Sequence, residues 1–198
     1  MGYAKEWLTE DEWRKLKNAP SDRDYTQEVD RQKWRDELLL RIMYKAGLRV
    51  SETLDLQYPY NFTTEENMGY VKLTPERETV KTEEELQPVG KETVRDVSNF
   101  MTAFHDQKET NFVFEISRQR AYDIINELGE EAGIDKKLGT HTLRRSRAKH
   151  LLESGNMDLS EVSRFLRHDK IATTMEYLSF VKKGMAEKVE NIDEERSL

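Results

Sequence analysis

The sequence predicts an α+β domain that is mostly helical and carries a small antiparallel β-sheet. Several segments place apolar residues three and four positions apart between helix-capping residues, which is the pattern of amphipathic helices. Two short apolar segments, residues 70–73 and 86–89, flank a polar connection and are typical of paired antiparallel strands. The 198 residues contain no internal repeat and no low-complexity linker, so we expect a single packed domain.

Cap residues predict where the helices of the N-terminal half begin and end. Thr9 and Glu12 have the spacing of a capping box, in which each side chain binds the other residue's backbone N–H. Asp30 is expected to cap the second helix, and Gly47 is expected to end it. Ser51 then has the position of a cap for a short third helix.

The C-terminal half continues the helical pattern. A helix is predicted over residues 91–104, and Ser117 is expected to cap the next one. Thr140 is the expected cap of the helix that follows. A helix over residues 158–168 and a last helical region over residues 173–190 complete the predicted domain.

The composition excludes several classes of protein. The chain has no cysteine, which rules out disulfides, thiolate catalysis and cysteine-bound zinc. It has no apolar run of transmembrane length and no N-terminal segment of signal-peptide type, which favours a cytoplasmic protein that does not contact a membrane. The net charge of −7 argues against a protein that coats nucleic acid by bulk charge.

One segment departs from this acidic balance. Residues 141–170 contain seven Lys or Arg and four Asp or Glu. Within the segment, His141 and Arg144 lie on one face of the first turn of a predicted helix, where the helix dipole also attracts anions. A solvated basic helix face would explain the same residues, so the segment alone leaves both interpretations open.

Three segments, taken in order, resemble the sequence boxes of one enzyme family. They are "AGLRVSETLDL" from residue 46, "HTLRRSRAKHLLESG" from residue 141 and "FLRHDKIATTMEYLSF" from residue 165. They resemble the first-arginine box, the His-x-x-Arg box and the closing box of the tyrosine recombinases, the phage-integrase family of site-specific DNA recombinases. The resemblance covers nearly the whole chain and implies the fold of a tyrosine-recombinase-like catalytic domain.

The resemblance implies a metal-independent DNA transesterification that passes through a 3′-phosphotyrosyl intermediate. Tyr177 would be the nucleophile and His141 the acid–base group, because a phenol with a pKa of about 10 is mostly protonated at neutral pH. Arg49 and Arg144 would bind the non-bridging oxygens through planar, permanently charged guanidinium groups. His168 would donate a further hydrogen bond, and no cofactor or metal is expected.

The lysine that the family carries in a β-hairpin is the hardest residue to assign. Lys81 is our assignment, and it would protonate the leaving 5′-oxygen as general acid. Lys72 is the alternative, although strand alternation could place it on a solvated face of the sheet. The closing box also departs from the family's Leu-Gly-His, because Arg167 replaces the glycine.

The remaining charged residues near these boxes are expected to play supporting parts. Glu52 is predicted to be structural, either orienting Arg49 or capping its helix. Five basic residues are predicted to contact the DNA backbone, with solvent exposure as the alternative. These five are Arg145, Arg147, Lys149, Arg164 and Arg167.

The resemblance also implies a domain organisation and partners. Residues 1–180 would form the catalytic domain, and residues 181–198 would be a tail that is either exchanged between protomers or a frayed, charged end. The family's N-terminal core-binding domain is expected to be absent from this chain, which would be either an excised domain or a minimal member. The expected partner is double-stranded DNA with a specific recombination site, bound by a homotetramer on synapsed DNA, with a monomer as the alternative without DNA.

Two other functions compete with a recombinase. A type IB topoisomerase uses a similar set of catalytic residues but acts without sequence partners. A recombinase-derived DNA-binding or regulatory module would lack independent activity. Because every catalytic position has a suitable residue, the sequence favours an active enzyme over an inactive relative.

Overall fold

The computed structural model describes residues 7–22, 27–73, 85–104 and 110–167 of the chain. Within these ranges the fold is a bundle of seven α-helices beside one three-stranded antiparallel sheet, as the sequence predicts. The helices are α1 (Glu10–Asn18), α2 (Gln27–Lys45), α3 (Val50–Leu54), α4 (Lys91–Ala103), α5 (Arg118–Glu131), α6 (Thr140–Glu153) and α7 (Leu159–Phe165). The strands are β1 (Phe62–Glu65), β2 (Met68–Leu73) and β3 (Glu85–Pro88), and a short 3₁₀ helix covers Ala19–Asp22.

Helix α2 forms the centre of the bundle. It contacts α1, α3, α4, α5 and α6, so apolar residues are needed on more than one of its faces. Its fully buried side chains include Leu38, Leu39, Leu40, Ile42 and Met43. Helix α4 links the bundle to the sheet, since it packs against α2 on one side and against β1 and β2 on the other. In the described part of the chain, no helix is both long and apolar enough to cross a membrane.

Two of the predicted helix starts are confirmed in atomic detail. The Thr9 hydroxyl accepts from the Glu12 backbone N–H at 3.2 Å, and the Glu12 carboxylate accepts from the Thr9 N–H at 2.7 Å. The Ser117 hydroxyl accepts from the Arg120 N–H at 3.1 Å at the start of α5. These three bonds each join residues three positions apart at a helix start, and such local contacts can be predicted from the sequence.

Three other predicted caps are wrong. Asp30 lies inside α2, which begins at Gln27, and Ser51 lies inside α3. In α3 the carboxylate of Glu52 binds the N-cap backbone N–H, so the Ser51 hydroxyl is not needed there. Thr140 is the first residue of α6 rather than its cap.

The sheet contains one strand that the sequence pattern does not predict. Strands β2 and β3 pair as expected, with Val71 opposite Gln87, while β1 pairs with the other edge of β2. The sequence of β1 is polar and its last residues are exposed, so it shows no apolar alternation. Gly69 lies where β2 meets the start of α4, and a Cβ there would stand 2.5 Å from the Gly90 carbonyl carbon. Only glycine allows this close approach of two backbones.

Candidate active site

Arg144 brings three distant parts of the chain together. Its guanidinium is buried, with the residue 4% exposed, and it donates to the backbone carbonyls of Gly47 and Leu166. Gly47 follows α2 in a left-handed conformation with φ of +60°, and Leu166 caps the C-terminus of α7. Helix C-termini carry partial negative charge, so a buried cation between two of them is electrostatically favourable. Arg144 therefore fixes the start of α6 against the ends of α2 and α7.

Arg49 lies two residues beyond Gly47 and is held by Glu52. The Glu52 carboxylate accepts from the Arg49 backbone N–H at 2.6 Å and from Arg49 Nη1 at 2.8 Å. The predicted role of Glu52 in orienting Arg49 and capping its helix is confirmed. The Arg49 side chain is still 36% exposed, so an oriented guanidinium reaches the surface.

His141 lies close to both Arg49 and Arg144. Partial burial, together with the positive charges of Arg145, Arg144 and Arg49, holds the pKa of His141 below its usual value of 6.5. The imidazole is therefore mostly neutral at pH 7 and has a nitrogen that can accept a proton. The structure thus places Arg49, His141 and Arg144 in one electrostatic cluster, and their catalytic roles remain predictions.

Arg167 joins the cluster from the end of α7. Its Nη2 donates to Glu52 at 2.8 Å, and its Nη1 donates to the Gln87 side-chain oxygen at 2.8 Å. Burial raises the pKa of Glu52, but the charge of Arg167, followed by the Arg49 N–H bond, outweighs burial and lowers it overall. Glu52 is therefore ionised at neutral pH. The guanidinium of Arg167 binds protein groups, whereas its predicted DNA contact remains a prediction.

Two of the other predicted DNA-contacting residues also bind protein groups. Lys149 forms an ion pair with Glu153, and its Nζ lies 5.8 Å from the centre of the Trp7 ring. The guanidinium carbon of Arg147 lies 5.4 Å from the centre of the Tyr44 ring. For both residues the predicted DNA contact remains a prediction.

Arg164 is exposed on α7, and Arg145 is half-buried beside His141. Their predicted contacts with the DNA backbone remain predictions.

Of the two candidates for the hairpin lysine, only Lys72 lies among the described residues. Lys72 lies on β2 opposite Leu86, and its backbone pairs with Asn61. Strand alternation places Lys72 on the opposite face of the sheet from Val71 and Gln87. Gln87 and Glu85, which alternate onto that same face of β3, both contact Arg167, so Lys72 points away from the cluster. Lys81, His168 and Tyr177 lie outside the described residues.

Helix α6 also carries two buried polar side chains, Ser146 and His150, that hold the chain at Leu8. The Ser146 hydroxyl accepts from the Leu8 N–H at 2.7 Å, and His150 Nε2 donates to the Leu8 carbonyl at 2.8 Å. Because that carbonyl can only accept, Nε2 carries the proton and Nδ1 accepts from the Tyr44 hydroxyl at 2.6 Å. The four-residue spacing of Ser146 and His150, on the face opposite Arg144, is the signal that could have identified them.

The buried His150 predicts a pH-dependent stability. Burial lowers its pKa in the folded state, so the unfolded chain binds the proton more readily. The contribution of neutral His150 is therefore fully present above about pH 6.5 and is lost as the pH falls through the lower folded-state pKa. We expect the free energy of unfolding to fall by at most about 1.4 kcal/mol per pH unit below 6.5 from this group.

Urea denaturation of the wild type and His150→Gln between pH 5 and pH 8 measures this effect. Glutamine can donate to Leu8 and accept from Tyr44 without titrating, so the variant should show a flatter pH dependence. The pH dependence that remains in the free energy of unfolding of the variant would include the titration of His141, whose pKa is also lowered. If the free energy of unfolding varied with pH equally in the two proteins, His150 would not be a source of the pH-dependent stability.

The described residues contain no group of three or more His, Asp or Glu side chains placed to hold a metal ion. The cations of the cluster instead offer guanidinium and imidazole donors to an anion. Such an arrangement suits a phosphate, which binds guanidinium groups bidentately.

Comparison with known proteins identifies relatives of this chain. Residues 6–183 match the sequence profile of the phage integrase family. The tyrosine recombinase XerD of Staphylococcus aureus (strain Mu50) is 31% identical over 172 residues, which cover 80% of this chain and 54% of XerD. XerD of Staphylococcus saprophyticus is also 31% identical, over 169 residues with the same coverages. The chain therefore spans about half the length of these curated relatives.

Solved structures show the same fold. XerH recombinase bound to a palindromic difH substrate, in a post-cleavage complex, aligns with a TM-score of 0.78 and 19% identity, covering 94% of this chain and 53% of XerH. The catalytic domain of bacteriophage HP1 integrase aligns with a TM-score of 0.58 and 21% identity, covering 88% of this chain and 87% of that domain.

Proposed function

Because the chain belongs to the phage integrase family, we propose that it is the catalytic domain of a site-specific DNA recombinase. It would cut and rejoin DNA through a 3′-phosphotyrosyl intermediate. The observation that carries the proposal is the convergence of Arg49 with His141 and Arg144, two residues of α6 that lie far from it in sequence. A packed core alone would not require two arginines from separate segments to share a site, since bringing like charges together is unfavourable without an anion.

In the proposed reaction Arg49 and Arg144 stabilise the charge that builds on the non-bridging oxygens at phosphorus. Arg49 is oriented by Glu52 and partly exposed, which preorganises it for an incoming phosphate. Arg144 is fixed by two backbone carbonyls, so its guanidinium keeps one orientation at the start of α6. Preorganised donors of this kind stabilise the transition state without reorganisation during the reaction.

The proton transfers are assigned to residues on both sides of the phosphate. His141, neutral at pH 7, would take the proton from the attacking phenol of Tyr177. His168 would donate a hydrogen bond to the phosphate. Lys81 remains the proposed general acid for the leaving 5′-oxygen, and the orientation of Lys72 away from the cluster supports this choice. No metal or cofactor takes part in this proposal.

The partners follow from the same proposal. Double-stranded DNA with a specific site is the substrate, and the XerH relative was solved with its difH substrate. Two sites would be brought together by a homotetramer, with a monomer in the absence of DNA. Residues 181–198 are the segment that we expect protomers to exchange, and their place lies outside the described residues. The reaction would take place in the cytoplasm.

Covalent trapping tests this function. The protein is mixed, in the presence of EDTA, with nicked duplexes that tile the DNA flanking its own gene, and the products are separated on a denaturing gel. A protein–DNA adduct is expected, and mass spectrometry should locate the nucleotide on Tyr177. DNA binding without an adduct on any duplex would favour the regulatory module, and relaxation of supercoiled DNA of any sequence would favour a topoisomerase.

A further inference from the structure

Arg167 adopts a backbone conformation that residues with a side chain rarely adopt. Its φ is +53°, in the left-handed region where glycine is the usual residue because it has no Cβ. Such a conformation persists in other residues only where the surroundings enforce it, and it often marks a functional position. The side chain at position 167 therefore has a use that outweighs the backbone preference for glycine.

The contacts of the side chain show what that use is. The Arg167 guanidinium is 14% exposed and extends from the end of α7 to both α3 and the sheet. It donates to Glu52 on α3 and to Gln87 on β3, each at 2.8 Å, and its Nε lies 3.5 Å from Glu85. Gln87 in turn donates to the Phe165 carbonyl at 3.0 Å, which fixes the turn that carries Arg167.

Glu52 connects Arg167 to Arg49, because its carboxylate binds both residues. Its Oε2 accepts from both Arg167 Nη2 and the Arg49 backbone N–H, while its Oε1 accepts from Arg49 Nη1. The two guanidinium groups therefore share one carboxylate in a fixed geometry. Any rotation of Glu52 that lost Arg167 would also release the guanidinium of Arg49.

Arg167 limits how far Glu52 neutralises Arg49. The charged groups that face Glu52 are Arg49 and Arg167, with Glu85 beside Arg167 and His141 near Arg49. Without Arg167, Glu52 would neutralise Arg49 and weaken its attraction for a phosphate. With Arg167, two guanidinium groups share the charge of Glu52, and Glu52 stays ionised at neutral pH.

We propose that Arg167 is a positioning residue: it holds Glu52, and through Glu52 it sets the orientation of the Arg49 guanidinium toward the DNA phosphate. This inference rests on the proposed function. It assigns Arg167 to the interior of the site, whereas a residue that binds the DNA backbone would face solvent.

Arg167→Gly is the informative variant, because glycine suits the left-handed backbone while it removes the guanidinium. We expect the rate of adduct formation to fall roughly tenfold, which is within the range of couplings between contacting groups. Glu52→Gln should cause a similar loss. The double variant should be no slower than the slower single variant, since both changes break the same link. Arg167→Lys, which keeps the charge, should recover part of the rate.

Two results would overturn the inference. One is a double variant whose losses multiply, because Arg167 and Glu52 would then act independently. The other is a change in the salt dependence of DNA binding: a lost phosphate contact would reduce the slope of log affinity against log salt by about 0.9. We expect the same slope for Arg167→Gly and the wild type.

A third measurement separates this inference from the proposed function. Carboxyl-carbon NMR of the free protein follows the titration of Glu52 without any DNA, and Arg167→Gly should raise the Glu52 pKa. An unchanged Glu52 pKa would refute the link between the two residues even if adducts form. Absence of an adduct in the wild type, with a raised Glu52 pKa in the variant, would refute the recombinase function and keep the link.

Discussion

Tyr177→Phe is expected to abolish the covalent protein–DNA adduct while DNA affinity stays within about twofold of the wild type. Phenylalanine keeps the ring but lacks the oxygen that would bond to phosphorus, so no 3′-phosphotyrosyl link can form. The cationic cluster is unchanged in this variant. Because Arg49, Arg144 and the other basic residues would supply the attraction for the backbone, binding should persist at moderate salt.

The adduct on a nicked duplex and the affinity of the same duplex are measured in parallel. Tyr60→Phe is a suitable control, since Tyr60 is 67% exposed and lies outside the cluster, and it should form the adduct at the wild-type rate. An adduct that persists in Tyr177→Phe would show that another residue is the nucleophile. A joint loss of binding and adduct would assign Tyr177 to binding instead.

Arg144→Met is expected to lower both the stability of the domain and the rate of adduct formation. Methionine is of similar length but leaves the Gly47 and Leu166 carbonyls without their donor. Leaving buried polar groups unsatisfied costs about 1–3 kcal/mol each, so we expect the free energy of unfolding to fall by roughly 3 kcal/mol. Loss of a preorganised donor to the phosphate should slow the adduct by about 10²–10³-fold.

Urea denaturation gives the stability, and adduct kinetics are recorded at a temperature where circular dichroism shows the variant to be folded. Arg145→Met is the matched control, because Arg145 follows Arg144 on the same helix and forms neither carbonyl contact. Its free energy of unfolding should stay within about 0.5 kcal/mol of the wild type. Wild-type stability in Arg144→Met would contradict the conclusion that Arg144 fixes the start of α6 against the ends of α2 and α7.

Local interactions explain why much of the fold can be predicted from the sequence. The capping contacts at Thr9 and Ser117 join residues three apart, and the apolar spacing in α4 follows the period of one helix. Strand β1 is the counterexample. Its polar residues become a strand only because β2 offers an edge to pair with, and no pattern inside β1 indicates that partner.

The same distinction applies to the site. The sequence alone determined the chemical types and the order of Arg49, His141 and Arg144, because these lie in short motifs. Only the tertiary structure decided that Arg144 binds carbonyls 97 and 22 residues away, and that Arg167 belongs with Glu52, 115 residues before it. Hydrogen bonds of charged groups depend on distance and direction, and between remote residues these are set by the packing of whole helices.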